Sequence, residues 1–167
     1  MSLQITLSKT QNNELDFVIN AERHPDNSNY VYQWSHAEHL QALSNPDQAH
    51  YIIKLADSGE MVGYVILDEV QNTSHSINLR RLVVTKKGLG IGAKALKAIQ
   101  QIAFTQLNAH RLWLDVFTDN QMAYQLYKKV GFVEEGKLRE SYLRNGAYAS
   151  QYIMAILKSE YIWCNYH

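Results

Sequence analysis

The hydrophobic positions change period several times along the chain, and the changes mark out its elements. Residues 4–8 alternate as a short strand. Asn13 then stands as the cap of a helix whose Leu15, Val18, Ile19 and Glu22 share one face. Pro25 ends it, because the residue before a proline is pushed out of the helical region, and residues 26–29 follow as a loop. Tyr30, Tyr32 and Trp34 lead into Ser35-His36-Ala37-Glu38, which has the form of a capping box, so a second short helix carries Leu40 and Leu43 as far as Asn45-Pro46. Residues 50–55 and 61–70 read as strands joined at Asp57-Ser58-Gly59. With a third strand at Ser76–Val84, the short connections predict an antiparallel meander. A long helix then places Ile91, Ala95, Ile99, Ile102, Ala103 and Leu107 on one face, which packs on that sheet. Arg111–Phe117 alternates as a further strand, with Leu112, Leu114 and Val116 apolar. In the helix after it, Thr118 with Gln121, or Asp119 alone, serves as cap; Ala123, Leu126, Tyr127 and Val130 form the buried stripe, Gly131 is the stop and Phe132 opens another strand. No internal repeat, linker or low-complexity tract interrupts residues 1–167, which read as a single domain.

Between the third strand and the long helix lies Thr85-Lys86-Lys87-Gly88-Leu89-Gly90-Ile91-Gly92-Ala93. Glycines on alternate positions remove the Cβ atoms between backbone and ligand, and the helix behind them offers unpaired N–H groups and the positive end of its dipole. That suits an anion such as a phosphate, with Lys86 and Lys87 adding mobile positive charge. A tight connection without a ligand is the bland alternative. The turn lacks the Gly-Lys-Ser/Thr ending of a nucleoside-triphosphate loop. Gly88, Gly90, Ala93 and Asp115 have the spacing of the dinucleotide fingerprint, but three polar residues separate strand from glycine and the preceding strands form a meander rather than a βαβ unit.

Composition narrows the field. Sixteen basic and sixteen acidic residues leave no net field, so nothing points to nucleic acid or an anionic membrane. The lone Cys164 forms no internal disulfide, and without a signal segment or membrane-length apolar run the protein is expected in the cytoplasm. Residues 1–3 have the character of a cloning leader as much as of native sequence. His36 and His39, one helical turn apart, lack a third ligand, so no metal is expected. Glu22, Arg23, His24, Asp26 and Trp34 gather polar and aromatic character at a helix end, either a solvated loop or a substrate-pocket wall.

Asn120, Ala123, Leu126, Tyr127, Lys128, Gly131 and Phe132, lying about thirty residues after Lys87-Gly88-Leu89-Gly90-Ile91-Gly92, resemble the paired motifs of the GCN5-related N-acetyltransferase superfamily. Lysine stands at 87 where arginine or glutamine is usual. The likeness runs through Glu135-Gly136-Lys137-Leu138-Arg139-Glu140, the Asn145-Gly146 turn and a last strand at residues 151–157, and there is similar to the branch with ribosomal-protein alanine acetyltransferases, although Ser150 replaces a frequent aspartate. The resemblance implies an α/β (α+β) fold with a mixed, largely antiparallel central sheet of about six to seven strands flanked by helices. It also implies acetyl-CoA as co-substrate and a primary amine as acceptor, whether a small amine, an amino acid derivative or a protein N-terminus, and it leaves a homodimer open. Backbone groups of Leu82, Val83 and Val84 would hold the pantetheine arm; Lys87, Gly88, Leu89, Gly90, Ile91, Gly92 and Ala93 the pyrophosphate; Asn120 the pantetheine; and Tyr127 would stand beside the sulfur.

The chemistry is acyl transfer from a thioester to an amine, which is ammonium at neutral pH and must lose a proton before attack. Where many relatives place a carboxylate before the glycine turn, this chain has Asn78, flanked by Arg80. His75, Glu22, His24, Asp26 or a relayed water then compete as base, and a catalytically silent CoA-binding sensor or scaffold is the rival reading. Complete protonation of the thiolate by an ordinary tyrosine is uphill by about 2 kcal/mol, so Tyr127 serves better as a hydrogen-bond donor to developing charge.

Overall fold

The computed structural model describes residues 3–167, so Met1 and Ser2 of the proposed leader lie outside the described residues. Seven strands form one sheet in the order β1-β2-β3-β4-β5-β7-β6: β1 (Ile5–Lys9), β2 (Gln48–Leu55), β3 (Met61–Asp68), β4 (Ser76–Val84), β5 (Arg111–Phe117), β6 (Val133–Arg144) and β7 (Ala147–Leu157). All neighbours run antiparallel except β4 and β5. The mixed, largely antiparallel sheet expected from the sequence is therefore present, and the Asn145-Gly146 turn joins its last hairpin.

One face of the sheet is covered by α4 (Ile91–Gln101), a π-helical turn at Ile102–Gln106, α5 (Gln121–Lys129) and α6 (Lys158–Tyr166), around Leu79, Leu96, Ile99, Leu112 and Leu114. The other is covered by α1 (Leu15–Arg23) and α3 (His36–Ser44), around Leu15, Val18, Trp34, Ile52 and Tyr64. Alternation along β5 sends Leu112, Leu114 and Val116 to the first face and turns Trp113 and Asp115 away from it.

Local chemistry moved several boundaries. Gln11, not Asn13, begins the first helical segment, because the Glu14 carboxylate accepts from the Gln11 amide at 2.8 Å while the Glu14 amide donates to the Gln11 carbonyl at 2.9 Å, closing a 3₁₀ turn, Asn12–Glu14, that feeds α1. Pro25 opens a one-turn helix, α2 (Pro25–Ser28), instead of a loop: its missing N–H suits the first helical position, and His24 Nδ1 accepts from the Asp26 amide. Of the two leucines that α3 carries, Leu43 packs on the core and Leu40 is exposed, while His39 and Ala42 are buried. A polar attraction outweighs Leu40 here. Sequence patterning also passed over α6, whose Tyr161 stacks on Phe104 at 5.0 Å.

That attraction comes from Glu22, which is completely buried. Its carboxylate accepts from the Trp34 amide at 3.1 Å, the Tyr64 hydroxyl at 2.8 Å, Arg81 at 3.1 Å and His39 Nε2 at 3.0 Å. His39 Nδ1 meets His50 Nε2 at 3.2 Å, and His50 Nδ1 meets Thr10 Oγ1 at 2.7 Å. Donation from Thr10 to His50, from His50 to His39 and from His39 to Glu22 gives every atom of the chain a partner. Among the described residues no buried side-chain nitrogen or oxygen lacks a partner.

Burial, followed by the charges of His39 and Arg81, lowers the His50 pKa to about 3. An unfolded histidine protonates near pH 6.5 but the folded one does not until about pH 3, so between those values the unfolded state binds more protons and stability falls as pH falls. Each unit in that window removes up to about 1.4 kcal/mol. Urea titrations between pH 6.5 and 5, above the range in which carboxylates protonate, are expected to show this slope, and His50→Gln to flatten it. Equal slopes for both proteins would show that His50 is not the sensitive group.

Candidate active site

The glycine turn has the backbone its sequence suggested. Gly88 and Gly90 take left-handed φ values of 77° and 74°, and Gly90 is the N-cap of α4. A Cβ at either would meet nothing within 4 Å, so the surface above the turn is open. The N–H groups of Ile91, Gly92 and Ala93 find no carbonyl among the described residues; the first amide of α4 to do so is that of Lys94, which donates to the Gly90 carbonyl at 3.3 Å. Gly92 has a different constraint: its Cβ would lie 3.1 Å from Leu126 Cδ2, so it lets α4 approach α5. Of the two lysines, Lys87 is not the mobile charge expected, whereas Lys86 makes only a surface ion pair. Lys86 pairs with Glu60 at 2.8 Å, while Lys87 donates to Asn27 Oδ1 at 2.7 Å beside a cavity of about 200 Å³ lined also by His24, Asp26 and Thr85. Burial there lowers the Lys87 pKa, against the opposing influence of Asp26.

Ahead of this turn the sheet opens. β4 and β5 pair at only three positions, Ser76 with Arg111, Ile77 with Leu112 and Asn78 with Trp113. Asn78 Nδ2 donates to the Trp113 carbonyl at 3.2 Å and pins that last rung. Beyond it, β4 continues beside β3 through Val84 and β5 beside β7 through Phe117, so each strand presents unpaired backbone groups to the gap, residues 82–84 included. The register of β4 against β3 passes from Leu79 to Arg81, leaving Arg80 as the extra residue of a bulge. Both guanidinium groups consequently lie over Trp34, Arg80 at 5.2 Å and Arg81 at 4.8 Å from the ring centre.

Asp115 lies on β5 two positions past the last rung, and the Tyr127 hydroxyl on α5 is within reach of its charge. Neither the Tyr127 hydroxyl nor the Asp115 carboxylate has a hydrogen-bond or ion-pair partner among the described residues. Protein packed around the Tyr127 hydroxyl, with the Asp115 charge adding to it, pushes its pKa up to about 12, although the residue as a whole is only half-buried. Asp115 is exposed as a residue, yet protein around its carboxylate disfavours the charge and raises its pKa, against the pull of Arg80. Asp115 also acts on Tyr142, whose pKa burial raises and to which Tyr32, Arg81 and Arg144 are likewise coupled. Tyr142 packs edge-on to Phe117 at 5.1 Å, and Arg144 is held by Asp119.

The residues considered as base from the sequence are distributed otherwise. Glu22 is enclosed by four donors, His75 precedes the closed end of the β4–β5 pair, and His24 and Asp26 line the cavity beside Lys87. Asp115 is the carboxylate that the pattern reading passed over. The signal was present, since it alternates with three apolar residues and so occupies the opposite face of the strand, but only the gap between strands turns that face into a site. Asn120, expected to reach a ligand, caps α5 by accepting from the Ala123 amide at 3.3 Å, in place of Thr118 or Asp119. The expected stripe of α5 packs on the core but stays half-buried. His39 is enclosed in the Glu22 network while His36 is exposed, and among the described residues no group of three His, Cys, Asp or Glu side chains is arranged for a metal.

A glycine turn feeding a helix, a parallel pair that parts after three rungs and a tyrosine on the helix that follows are combined in one known family. Residues 13–132 match the Acetyltransferase (GNAT) family. The chain belongs to that family. A spermidine N(1)-acetyltransferase of Vibrio cholerae is 28% identical over 97% of this GNAT chain and 98% of its own. The crystal structure of a Vibrio cholerae spermidine N-acetyltransferase in complex with CoA and spermine superimposes with a TM-score of 0.87 at 26% identity, covering 95% of this chain and 98% of that one. An L-amino acid N-acetyltransferase of Escherichia coli is 33% identical over 60% of this chain and 64% of its own. These relatives do not single out the ribosomal-protein alanine branch. The GNAT chain is an acetyl-CoA-dependent N-acetyltransferase that acts on a primary amine. No helix among the described residues is long and apolar enough to cross a membrane.

Because Asn120 caps α5, Asn120→Ala is expected to lower the unfolding free energy by about 1 kcal/mol. Urea denaturation measures the loss, and Asn120→Asp should restore most of it. A variant as stable as the parent would remove the cap.

Proposed function

We propose that this enzyme acetylates a small amine held at the opening between β4 and β5, with Asp115 as general base and Tyr127 as donor to the leaving sulfur. The observation carrying this reading is that two polar groups without protein partners, one a carboxylate and one a phenol, lie within electrostatic reach of each other where the strands part. The open surface over Gly88 and Gly90 and the free amides of Ile91, Gly92 and Ala93 suit the pyrophosphate of acetyl-CoA; the unpaired edge at Leu82, Val83 and Val84 suits its pantetheine amides, and the Asn120 side-chain nitrogen remains free to reach them. Leu89 and Lys87 contribute backbone to the same turn. An exposed free Cys164 fits a reducing cytoplasm.

Acetyl-CoA supplies an activated acyl group, and the chain does the rest. Asp115 takes the proton an ammonium must lose before its lone pair is free, and its raised pKa makes it a better acceptor than an ordinary aspartate. Tyr127 donates toward the sulfur as the carbon–sulfur bond breaks. A phenol with a pKa of about 12 lies far above a thiol near 8.5, so complete transfer would cost about 5 kcal/mol, more than an unperturbed tyrosine requires. Tyr127 therefore acts by hydrogen bonding while charge develops. The position that favoured a silent sensor, Asn78, has its own structural use at the last rung, and the carboxylate comes from the neighbouring strand instead.

Since the base must be ionised, kcat/KM should rise with pH through an apparent pKa above that of an ordinary aspartate. Asp115→Asn should abolish this limb, lower kcat/KM about 10²- to 10⁴-fold and, by deleting a disfavoured charge, leave the melting temperature unchanged or higher. Normal turnover by the folded variant would eliminate Asp115. Tyr127→Phe keeps the ring and is expected to lower kcat by roughly thirty- to a thousand-fold, with KM for acetyl-CoA within a few-fold of the parent. Steady-state kinetics beside a thermal melt test it; a variant that melts earlier but turns over normally would make Tyr127 a packing residue.

A further inference from the structure

Three arginines surround the opening, and their partners differ. Arg81 is almost fully buried and committed to Glu22. Arg144 gives both terminal nitrogens to Asp119 and one also to the Asn29 carbonyl. Arg80 keeps 43% of its side chain exposed and donates through a single nitrogen, Nη1, to Asp68 Oδ2 at 2.6 Å. A guanidinium carries five N–H donors, so most of those on Arg80 remain free. Its position is nonetheless defined, by Asp68 at one end and by the Trp34 ring 5.2 Å away.

The carboxylates sort in the complementary way. Glu22, Asp68 and Asp119 are each matched by one of these arginines, which leaves Asp115 without a counter-ion in contact. Arg80 and Asp115 also correspond in the fold. The last paired rung is Asn78 with Trp113, and each of the two residues lies two positions beyond it, on opposite sides of the gap. Alternation from Leu79 sends Arg80 to the Trp34 face of the sheet, where the bulge leaves Arg81 as well, and alternation along β5 sends Asp115 to the same face. The opening thus presents one available anion facing one available cation, with Trp34, Tyr32, Phe117 and Tyr142 around them.

We propose that the acceptor carries its own carboxylate beside the amine, as an amino acid does, with Asp115 receiving the ammonium and Arg80 the carboxylate. This rests on the assignment of Asp115 and the β4–β5 opening to acetyl transfer. A polyamine fits poorly: it brings several ammonium groups to a site with one unmatched carboxylate, and its second charge would meet Arg80. An amino acid satisfies both groups, and its carboxylate can form charge-assisted hydrogen bonds with the free edge of the guanidinium.

The test is release of CoA thiol with matched acceptors: a set of L-amino acids, the corresponding amino acid amides, and spermidine. The parent enzyme is expected to favour acids over amides by about 10- to 100-fold in kcat/KM and to turn spermidine over more slowly than either. Arg80→Gln should collapse the acid-to-amide ratio toward one, and Asp68→Asn, which frees the guanidinium without removing it, should reduce the ratio less. Because the ratio is read first on the parent enzyme, a variant that fails to fold does not protect the proposal. An amide used as well as its acid, a preference for spermidine, or an unchanged ratio in folded Arg80→Gln would overturn it while leaving the catalytic reading intact. Thiol release with none of the acceptors would sink the catalytic reading, and this inference with it.

Discussion

The parting of β4 from β5 is the constraint on which the functional half of the molecule depends. A parallel pair of three rungs is a weak junction, and it stays open because each strand is committed elsewhere. β4 follows β3 from Asn78 to Val84, and every residue of β5 is paired with β7. Closing the gap would require the β3–β4 and β5–β7 parts of the sheet to swing together as units. The residue at its closed end, Asn78, adds a side-chain hydrogen bond across the last rung, and the bulge immediately afterwards bends β4 away. The unpaired backbone that results would be a liability in a packed core; here it lines a groove that an extended ligand can complete.

A second, electrostatic constraint holds the acceptor side of that groove. Burying Glu22 without compensation would be prohibitively costly, and four donors from α1's surroundings, α3, β3 and β4 supply the compensation. The result is directional as well as stabilising. Arg81 is drawn inward and neutralised, the Trp34 backbone is tied to the same carboxylate, and the Trp34 ring becomes a plate against which Arg80 can lie. The polar interior therefore determines which guanidinium is spent on structure and which stays available.

Along the chain, short-range chemistry was readable wherever one local rule dominated. The capping box at Ser35 and Glu38, the Asn145-Gly146 turn, the alternating strands and the left-handed Gly88 and Gly90 are all consequences of residues within a few positions of one another. Errors fell where two local options competed. Pro25 can end a helix or begin one, and the capping oxygen of His24 decided for the second. His39 and Leu40 both compete for the buried side of α3, and a carboxylate seventeen residues earlier in the sequence chose the histidine.

From the sequence alone came a mixed, largely antiparallel sheet of about six to seven strands, the anion-suited turn and Tyr127 on a helix after β5, because periodicity, glycine geometry and the motif spacing that carries the family resemblance are properties of neighbouring residues. Only the tertiary structure decided that Lys87 is tied down, that Glu22 is structural, that Asn120 is a cap and that Asp115 faces the opening. Each of those outcomes depends on which unmatched charge or hydrogen-bonding group meets which partner across the sheet, over separations of up to sixty residues, and no local pattern encodes that pairing.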